Sequence, residues 1–447
     1  MLYYKRKRNE KGAIKMKKLT CVILGYGDRS SRYAAYAKEK PEELEIIGAI
    51  DVNPLKLEMA KADFHLQDGV LFTSLDEFLK SEMQCDFVIN GTMDQYHYET
   101  TIPLLEKGYN ILLEKPITAN PEELLEIQAL AKKNHCKVLI CHVLRYTPFY
   151  VTIKQILNSG KIGRIMDMQL NEHVWHGHFV NSYVRGKWRS EKECGSGLLL
   201  AKCCHDTDLM CWLNNETVPE RVSSFGSRSF FTERNAPEGS TQYCFECPKK
   251  DECMFNAYKF QLEKDFIPFY TWAGINKPLD EITKEEKIEF LKKDVYGQCV
   301  FKTDMDIVDR QCVSVEFANG SIGTLNMVGG ASKAGRHIHL VCEYGEISGY
   351  IEENKIVVRV FDKNDVWYKE EIIDLNEQNK LSDEDNSVGG HYGGDYFIMK
   401  DLVKFLNGET TSLSTTVIND SVNSHLICYA AEMARKEKRV VELKEFA

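Results

Sequence analysis

No apolar run in this 447-residue chain approaches the roughly 20 residues that a membrane-spanning helix needs. The apolar stretch behind the basic start, Cys21 to Leu24, is too short for the core of a secretory signal. Export is therefore not expected, and the chain reads as cytoplasmic. Positive charge is not in excess either: 57 Lys and Arg face 67 Asp and Glu, a net charge of -10. That balance argues against nucleic acid or an anionic membrane as the main partner. Internal repeats and long low-complexity segments are absent as well.

What is present is a globular composition, 43% hydrophobic and 28% charged, in a chain long enough for two cored domains. Cysteine is plentiful, at 15 residues. Most cysteines are single and sit in apolar runs (Cys21, Cys85, Cys136, Cys141, Cys342 and Cys428), where a reduced thiol packs as a small hydrophobe. Without an export signal, a disulfide framework is not expected.

Short apolar runs at Thr20–Leu24, Glu45–Ile50, Asp86–Asn90, Tyr109–Leu113 and Val138–His142 alternate with helix-period segments. That rhythm predicts an α/β domain over residues 17–145, a Rossmann-type doubly wound parallel sheet, with residues 1–16 as a disordered extension. Asn120-Pro121-Glu122-Glu123 predicts a helix start, with an N-cap, proline in the first turn and carboxylates behind it. After residue 150 the pattern changes. Strand-like segments at Ile165–Trp175, Val218–Phe231 and from Asp309 to Phe361, with helices at Ala201–Leu213, Asp395–Leu406 and Asn419–Arg435, predict an α+β domain over 146–447. Its sheet is expected to be open and largely antiparallel, with one uncovered face that makes a homo-oligomer the expected state. Residues 232–305 read as a polar insertion and Asn376–Asn386 as a mobile acidic loop.

Gly25-Tyr26-Gly27-Asp28-Arg29-Ser30 follows a strand and opens a helix, the setting in which glycines let a pyrophosphate approach the backbone. Ser30 holds the place of the usual third glycine. Asp51 ends the next strand, where a carboxylate accepts both ribose hydroxyls and its charge disfavours a 2'-phosphate, so NAD is expected over NADP. Gly91 to His97 follows the third long run, and Glu114-Lys115-Pro116 closes the fourth. A lysine at the carboxyl end of a central strand sits where ligands collect, and the proline beside it restricts the backbone.

Gly25 and Gly27 with Asp51, Thr92 to His97, and Glu114-Lys115-Pro116 together resemble the Gfo/Idh/MocA family, the glucose–fructose oxidoreductase and inositol dehydrogenase group. The resemblance extends through Trp188-Arg189, Gly195-Ser196-Gly197 and the helix carrying Cys203 to Asp208. It implies a Rossmann domain followed by an open mixed sheet that carries the substrate pocket. It also implies that Thr92, His97, Glu114, Lys115, Trp188 and Arg189 join Gly25, Gly27 and Asp51 around the cofactor. Lys115 would bridge a substrate hydroxyl and the nicotinamide ribose, and His205 would be the second catalytic group. The chain departs from the family's Asp-x-Gly-x-His pattern, having Ala201 at the aspartate position and Lys202 beside it. That change leaves hydroxyl oxidation feasible and puts the substrate in doubt. Lys202 reads either as a carboxylate binder or as a solvated lysine, and Asp208 either as a substrate contact or as an exposed helix charge.

Three histidines, His173, His176 and His178, sit at the end of the Ile165–Trp175 run. Strand alternation sends His173 and His176 to opposite faces, which favours substrate contacts by His176 or His178 over a shared metal. Cys244-x-x-Cys247 and Cys253, with Cys299 as a fourth thiol bordering the same insertion, suggest a structural metal. Zinc, an iron–sulfur cluster and free thiols all stay open there. His391 precedes Gly393-Gly394-Asp395, where capping by Asp395 is the default reading and a substrate-facing loop the minority one.

The leading expectation is an enzyme that transfers a hydride between nicotinamide and a hydroxyl-bearing carbon of a sugar, cyclitol or glycoside. A redox-neutral glycoside cleavage through a transient keto sugar is the alternative, and a sugar-sensing module without catalysis a third reading. The presence of both Lys115 and His205 weighs against the third.

Overall fold

Two sheets organise the chain, and the reason for each is visible in its strands. The structure is a computed structural model that describes residues 17–378 and 391–446. The 1–16 extension and residues 379–386 of the acidic loop lie outside the described residues.

The first sheet comprises β1 (Leu19–Leu24), β2 (Leu44–Ile50), β3 (Leu71–Phe72), β4 (Phe87–Asn90), β5 (Asn110–Leu113) and β6 (Val138–Ile140). All pairs are parallel, in the order β3-β2-β1-β4-β5-β6. Helices cover both faces, so β1, β4, β5 and β6 are almost wholly buried and read as unbroken apolar runs. The connecting helices start where side chains can cap them. Asn53 accepts from the Leu55 N–H, Ser74 from the Glu77 N–H and Asn120 from the Glu122 N–H. The strand order reverses between β1 and β4, which opens a crevice at their carboxyl ends.

The second sheet contains β7 (Ile165–Trp175), β8 (Pro219–Ser227), β9 (Arg310–Phe317), β10 (Ile322–Ala331), β11 (Gly335–Cys342), β12 (Gly345–Tyr350), β13 (Lys355–Phe361), β14 (Tyr368–Asp374) and β15 (Val441–Glu442). Its order is β14-β13-β12-β11-β7-β10-β9-β8-β15, antiparallel throughout except for the β7–β10 pair. Alternate residues of β9, β10 and β12 are buried, so one face carries the core. The Leu198–Leu213 and Ile418–Glu437 helices pack on that face and on each other. β14 has no counterpart in the sequence pattern. It is a polar edge strand, mostly exposed, paired on one side only, and charge at an edge blocks further pairing.

Two parts of the 146–447 segment depart from the expected division. The Gly394–Leu406 helix returns to the first sheet, where Ile398, Met399, Leu402 and Val403 share a core with Cys21, Ile23 and Phe87. The insertion, read as polar, has a small core of its own in Trp272, Ile282, Leu291 and Tyr296. Its apolar residues are too dispersed along the chain to show a period.

Candidate active site

The crevice at the β1–β4 switch point opens into a cavity of about 440 Å3 that runs between the two sheets. Its first wall comes from the glycine turn after β1. Gly25 has φ of +79°, and a Cβ there would stand 3.1 Å from the Gly91 carbonyl oxygen, so the turns after β1 and β4 touch only because the residue is glycine. Ser30 makes the contact expected of a third glycine: its hydroxyl donates to the Gly25 carbonyl, and its Cβ would lie 2.9 Å from a Cβ on Gly91. A Cβ on Gly27 would meet nothing, because that residue faces the open cavity. Asp51 accepts from the Tyr26 N–H at 2.8 Å and the Asn53 N–H at 2.8 Å, one oxygen each, which fixes the carboxylate beside the turn.

The second wall is Glu114-Lys115-Pro116 after β5, where the Lys115–Pro116 bond is cis. Glu114 is buried and accepts from Arg29 Nε at 3.1 Å, Tyr33 Oη at 2.7 Å and the Lys115 N–H at 2.8 Å. Burial alone would raise its pKa, but Arg29 and Lys115 hold it below the usual carboxylate range. Arg29 is anchored in turn by Asp395, 2.6 Å from Nη2. Lys115 Nζ reaches across the cavity and donates to the Ala201 carbonyl at 2.8 Å. The chain thus uses the backbone of residue 201 where the family pattern has a side-chain carboxylate.

The third wall is the Leu198–Leu213 helix with the end of β7. His205 lines the cavity with 7% of its surface exposed, and burial followed by Lys115 keeps its pKa well below the ordinary value, so the imidazole is neutral. His178 also lines the cavity, and burial followed by Lys202 lowers its pKa to about 3. Lys202 lies 3.4 Å from Glu172, which makes it a paired lysine and not a solvated one. Arg336 stands opposite Glu172 across the β7–β11 ladder and contacts both Glu172 and Asp206 at 2.8 Å.

Gly27, Thr92, Glu114, Lys115, Trp188, His178, Lys202 and His205 therefore line one cavity. Several expected residues take other places. Asp208 is buried and its carboxylate is occupied by the Arg145 guanidinium through two hydrogen bonds, so it is a structural ion-pair partner and not a substrate contact. His176 turns away after β7 ends and packs on Trp175 and Phe260, with ring centres 5.0 and 6.0 Å away. Arg189 points to Asp304 and Glu193 and does not line the cavity. His97 is fully buried, with Nδ1 2.6 Å from the Pro116 carbonyl and Nε2 3.1 Å from the Thr92 carbonyl, so it ties the two loops together from behind. Cys244, Cys247, Cys253 and Cys299 do surround one cavity of about 20 Å3. They share it with Arg185, whose Nη2 donates to Cys244 Sγ, and among the described residues no three His, Cys, Asp or Glu side chains are grouped to hold a metal.

Other lining residues carried no signal in the sequence. Ile267, Phe269 and Tyr270 reach the cavity from the insertion, and Lys187 stacks over Trp188, 4.4 Å from its ring centre. Arg336 was hidden because only the β7–β11 register places it beside Glu172. His391 lines the cavity as well, held by Asp395 at 3.2 Å; Asp395 pairs with His391 and Arg29 and makes no side-chain cap at the helix start, so the expected capping gives way to cavity lining.

A parallel doubly wound sheet with a glycine turn at its switch point, a strand-end aspartate and a lysine after the adjoining strand β5 has the make-up of a dinucleotide-dependent oxidoreductase. Residues 19–142 match the model of an oxidoreductase family with an NAD-binding Rossmann fold, and residues 150–250 match the GFO/IDH/MocA C-terminal domain. The chain belongs to the Gfo/Idh/MocA family of NAD(P)-dependent oxidoreductases. It is 24% identical to YteT of Bacillus subtilis over 410 residues, covering 90% of this chain and 92% of that one. It is 27% identical to 1,5-anhydro-D-fructose reductase of Ensifer adhaerens over 156 residues, 35% of this chain and 45% of that protein. Levoglucosan dehydrogenase, solved with NADH and levoglucosan, superposes with a TM-score of 0.66 at 17% identity, covering 96% of this chain and all (100%) of the other. The WlbA dehydrogenase of Bordetella pertussis, solved with NADH and UDP-GlcNAcA, gives a TM-score of 0.66 at 14% identity, covering 96% and 99%. At these identities the two structures attest the shared fold.

Proposed function

We propose that this protein is an NAD-dependent dehydrogenase that moves a hydride between nicotinamide and a hydroxyl-bearing carbon of a sugar, cyclitol or glycoside. The observation that carries the reading is the meeting of Lys115 and a neutral His205 in the wall of one cavity that begins at the dinucleotide turn. Gly27, Asp51, Thr92 and Trp188 would hold the cofactor, whose nicotinamide, when bound, supplies the hydride acceptor. The charge on Asp51 beside the turn favours a free ribose 2'-hydroxyl, hence NAD. His205 takes the hydroxyl proton as the hydride departs. Lys115, held by the Ala201 carbonyl, directs its ammonium at the same oxygen and offsets the negative charge that develops there. Lys202 and Arg336, each tied to Glu172, line the sugar side with fixed donors.

Redox-neutral glycoside cleavage is the second reading, and His178 supports it. Elimination after ring oxidation needs a base for the acidified C–H, and His178 is a second neutral imidazole in the cavity. In that reading the hydride taken from the ring returns to the sugar after the aglycone leaves. Incubation with NAD and a panel of sugars and aryl glycosides, following NADH absorbance and aglycone release together, decides between them. Stoichiometric NADH supports the dehydrogenase, and aglycone without NADH supports cleavage. Bound NAD with neither product would sink both.

A further inference from the structure

Behind His205 lies a second imidazole that the proposed chemistry has not used. His142, just after β6, is fully buried, and its ring centre is 5.7 Å from that of His205. Neither of its nitrogens has a hydrogen-bond partner among the described residues, and neither does His205 Nδ1. Two neighbouring rings therefore hold three sealed, unpaired nitrogens, and a buried polar atom without a partner is destabilising. A third imidazole close by shows the contrast. His425, 5.5 Å from His142, uses both nitrogens: Nδ1 donates to the Ser421 carbonyl and Nε2 accepts from the Ile117 N–H.

One arrangement of the groups facing His142 satisfies all three nitrogens. Asp208, whose two oxygens both accept from Arg145, places Oδ1 3.7 Å from His142 Nε2. A carboxylate oxygen only accepts, so His142 Nε2 must carry the proton. In neutral imidazole the other nitrogen is then an acceptor, and His142 Nδ1 can receive only a donated N–H. His205 Nδ1, unpaired in the neighbouring ring, can give it. With its proton on Nδ1, His205 has a lone pair on Nε2, the nitrogen that is not sealed from the cavity. Burial, helped by the nearby cations Arg145 and Lys115, keeps His142 neutral, as this arrangement requires.

We propose that His142 is a positioning residue that sets the tautomer of His205, through the chain Asp208, His142 Nε2–H, His142 Nδ1, His205 Nδ1–H. Hydrogen bonds that serve a catalytic base are often long or poorly aligned until the base is loaded. No net proton transfer to His142 is involved. The substrate hydroxyl proton ends on His205 Nε2, and the resulting imidazolium keeps its Nδ1–H on His142. The consequence for catalysis rests on His205 being the base proposed above; the tautomer itself does not.

The full chain with 15N-labelled histidine tests this directly, since long-range 15N–1H couplings report which ring nitrogen holds the proton. His205 is expected as the Nδ1–H form in the wild type and to lose that preference in His142→Phe. His142→Asn, which keeps an amide oxygen as acceptor, is expected to retain it. In turnover, His142→Phe should lower kcat about 10- to 100-fold with KM and NAD affinity little changed, and His142→Asn should recover most of the loss. A wild-type His205 protonated on Nε2, or one whose tautomer is unmoved in both variants, overturns the proposal. If His142→Phe does not fold, the wild-type tautomer and the Asn variant still decide. A correct tautomer with no NADH or aglycone from any sugar would instead refute the dehydrogenase reading alone.

Discussion

Asp208 offers the sharpest separation between a structural and a substrate-binding role. It and Arg145 are each about 1% exposed, and the guanidinium meets the carboxylate through two hydrogen bonds, one of them 2.6 Å long. Replacing Asp208 with Asn keeps the shape and removes the charge, so Arg145 is left as a buried cation without its partner. Breaking a buried pair from one side costs roughly 3–5 kcal/mol, whereas removing both charges together costs much less. Asp208→Asn should therefore lower the urea midpoint strongly, and the double variant Asp208→Leu, Arg145→Met should regain a large part of the loss. NAD affinity, measured on the folded variant, should stay near wild type because neither residue lines the cavity. A variant with unchanged midpoint and a raised sugar KM would refute this account and restore the substrate role.

Lys115→Ala should abolish turnover while NAD still binds by calorimetry, because the proposed function sets the ammonium against the substrate oxygen; full activity in that variant would remove it from the site. Asp51→Ala should weaken NAD and narrow the preference over NADP by removing the fixed carboxylate, and an unchanged NAD/NADP ratio would count against that role. The depressed pKa values of His142, His178, His205 and His425 make a statement about acid stability. Their stability contribution is whole above the unfolded pKa of about 6.5 and is lost as pH falls toward the folded values, which are about 3 for His178 and His425. Each group steepens the loss by up to about 1.4 kcal/mol per pH unit in that window. Denaturation midpoints measured from pH 7 to pH 4 should fall steadily, and a flat profile would contradict the burial of these rings.

Much of the cofactor side was legible in the chain order. Parallel strands buried on both faces write themselves as short apolar runs, and the residues at their carboxyl ends are read directly from where those runs stop. Gly27, Thr92, Glu114 and Lys115 were found that way. The polar, one-sided β14 was missed because edge strands need no apolar alternation. Asp208 and Arg189 were misread for one reason: a charged residue near a motif looks functional until its partner is known. Those partners, Arg145 and Asp304, lie 63 and 115 positions away.

The sequence by itself determined the fold class and the dinucleotide turn, because periodicity and glycine placement act over a few residues. It also exposed Lys115, which follows a strand end, whereas His205, in the middle of the Leu198–Leu213 helix, was marked only by the family resemblance. Only the tertiary structure decided which charges are spent on one another. It joined Arg336 to Glu172 across a strand pair and brought Tyr270 in from the insertion. It also set His142 between His205 and Asp208. Such neighbours are chosen by strand register and core packing, which short-range sequence patterns do not encode. Arg336 and Tyr270 complete the cavity wall that His178, Lys202 and His205 begin.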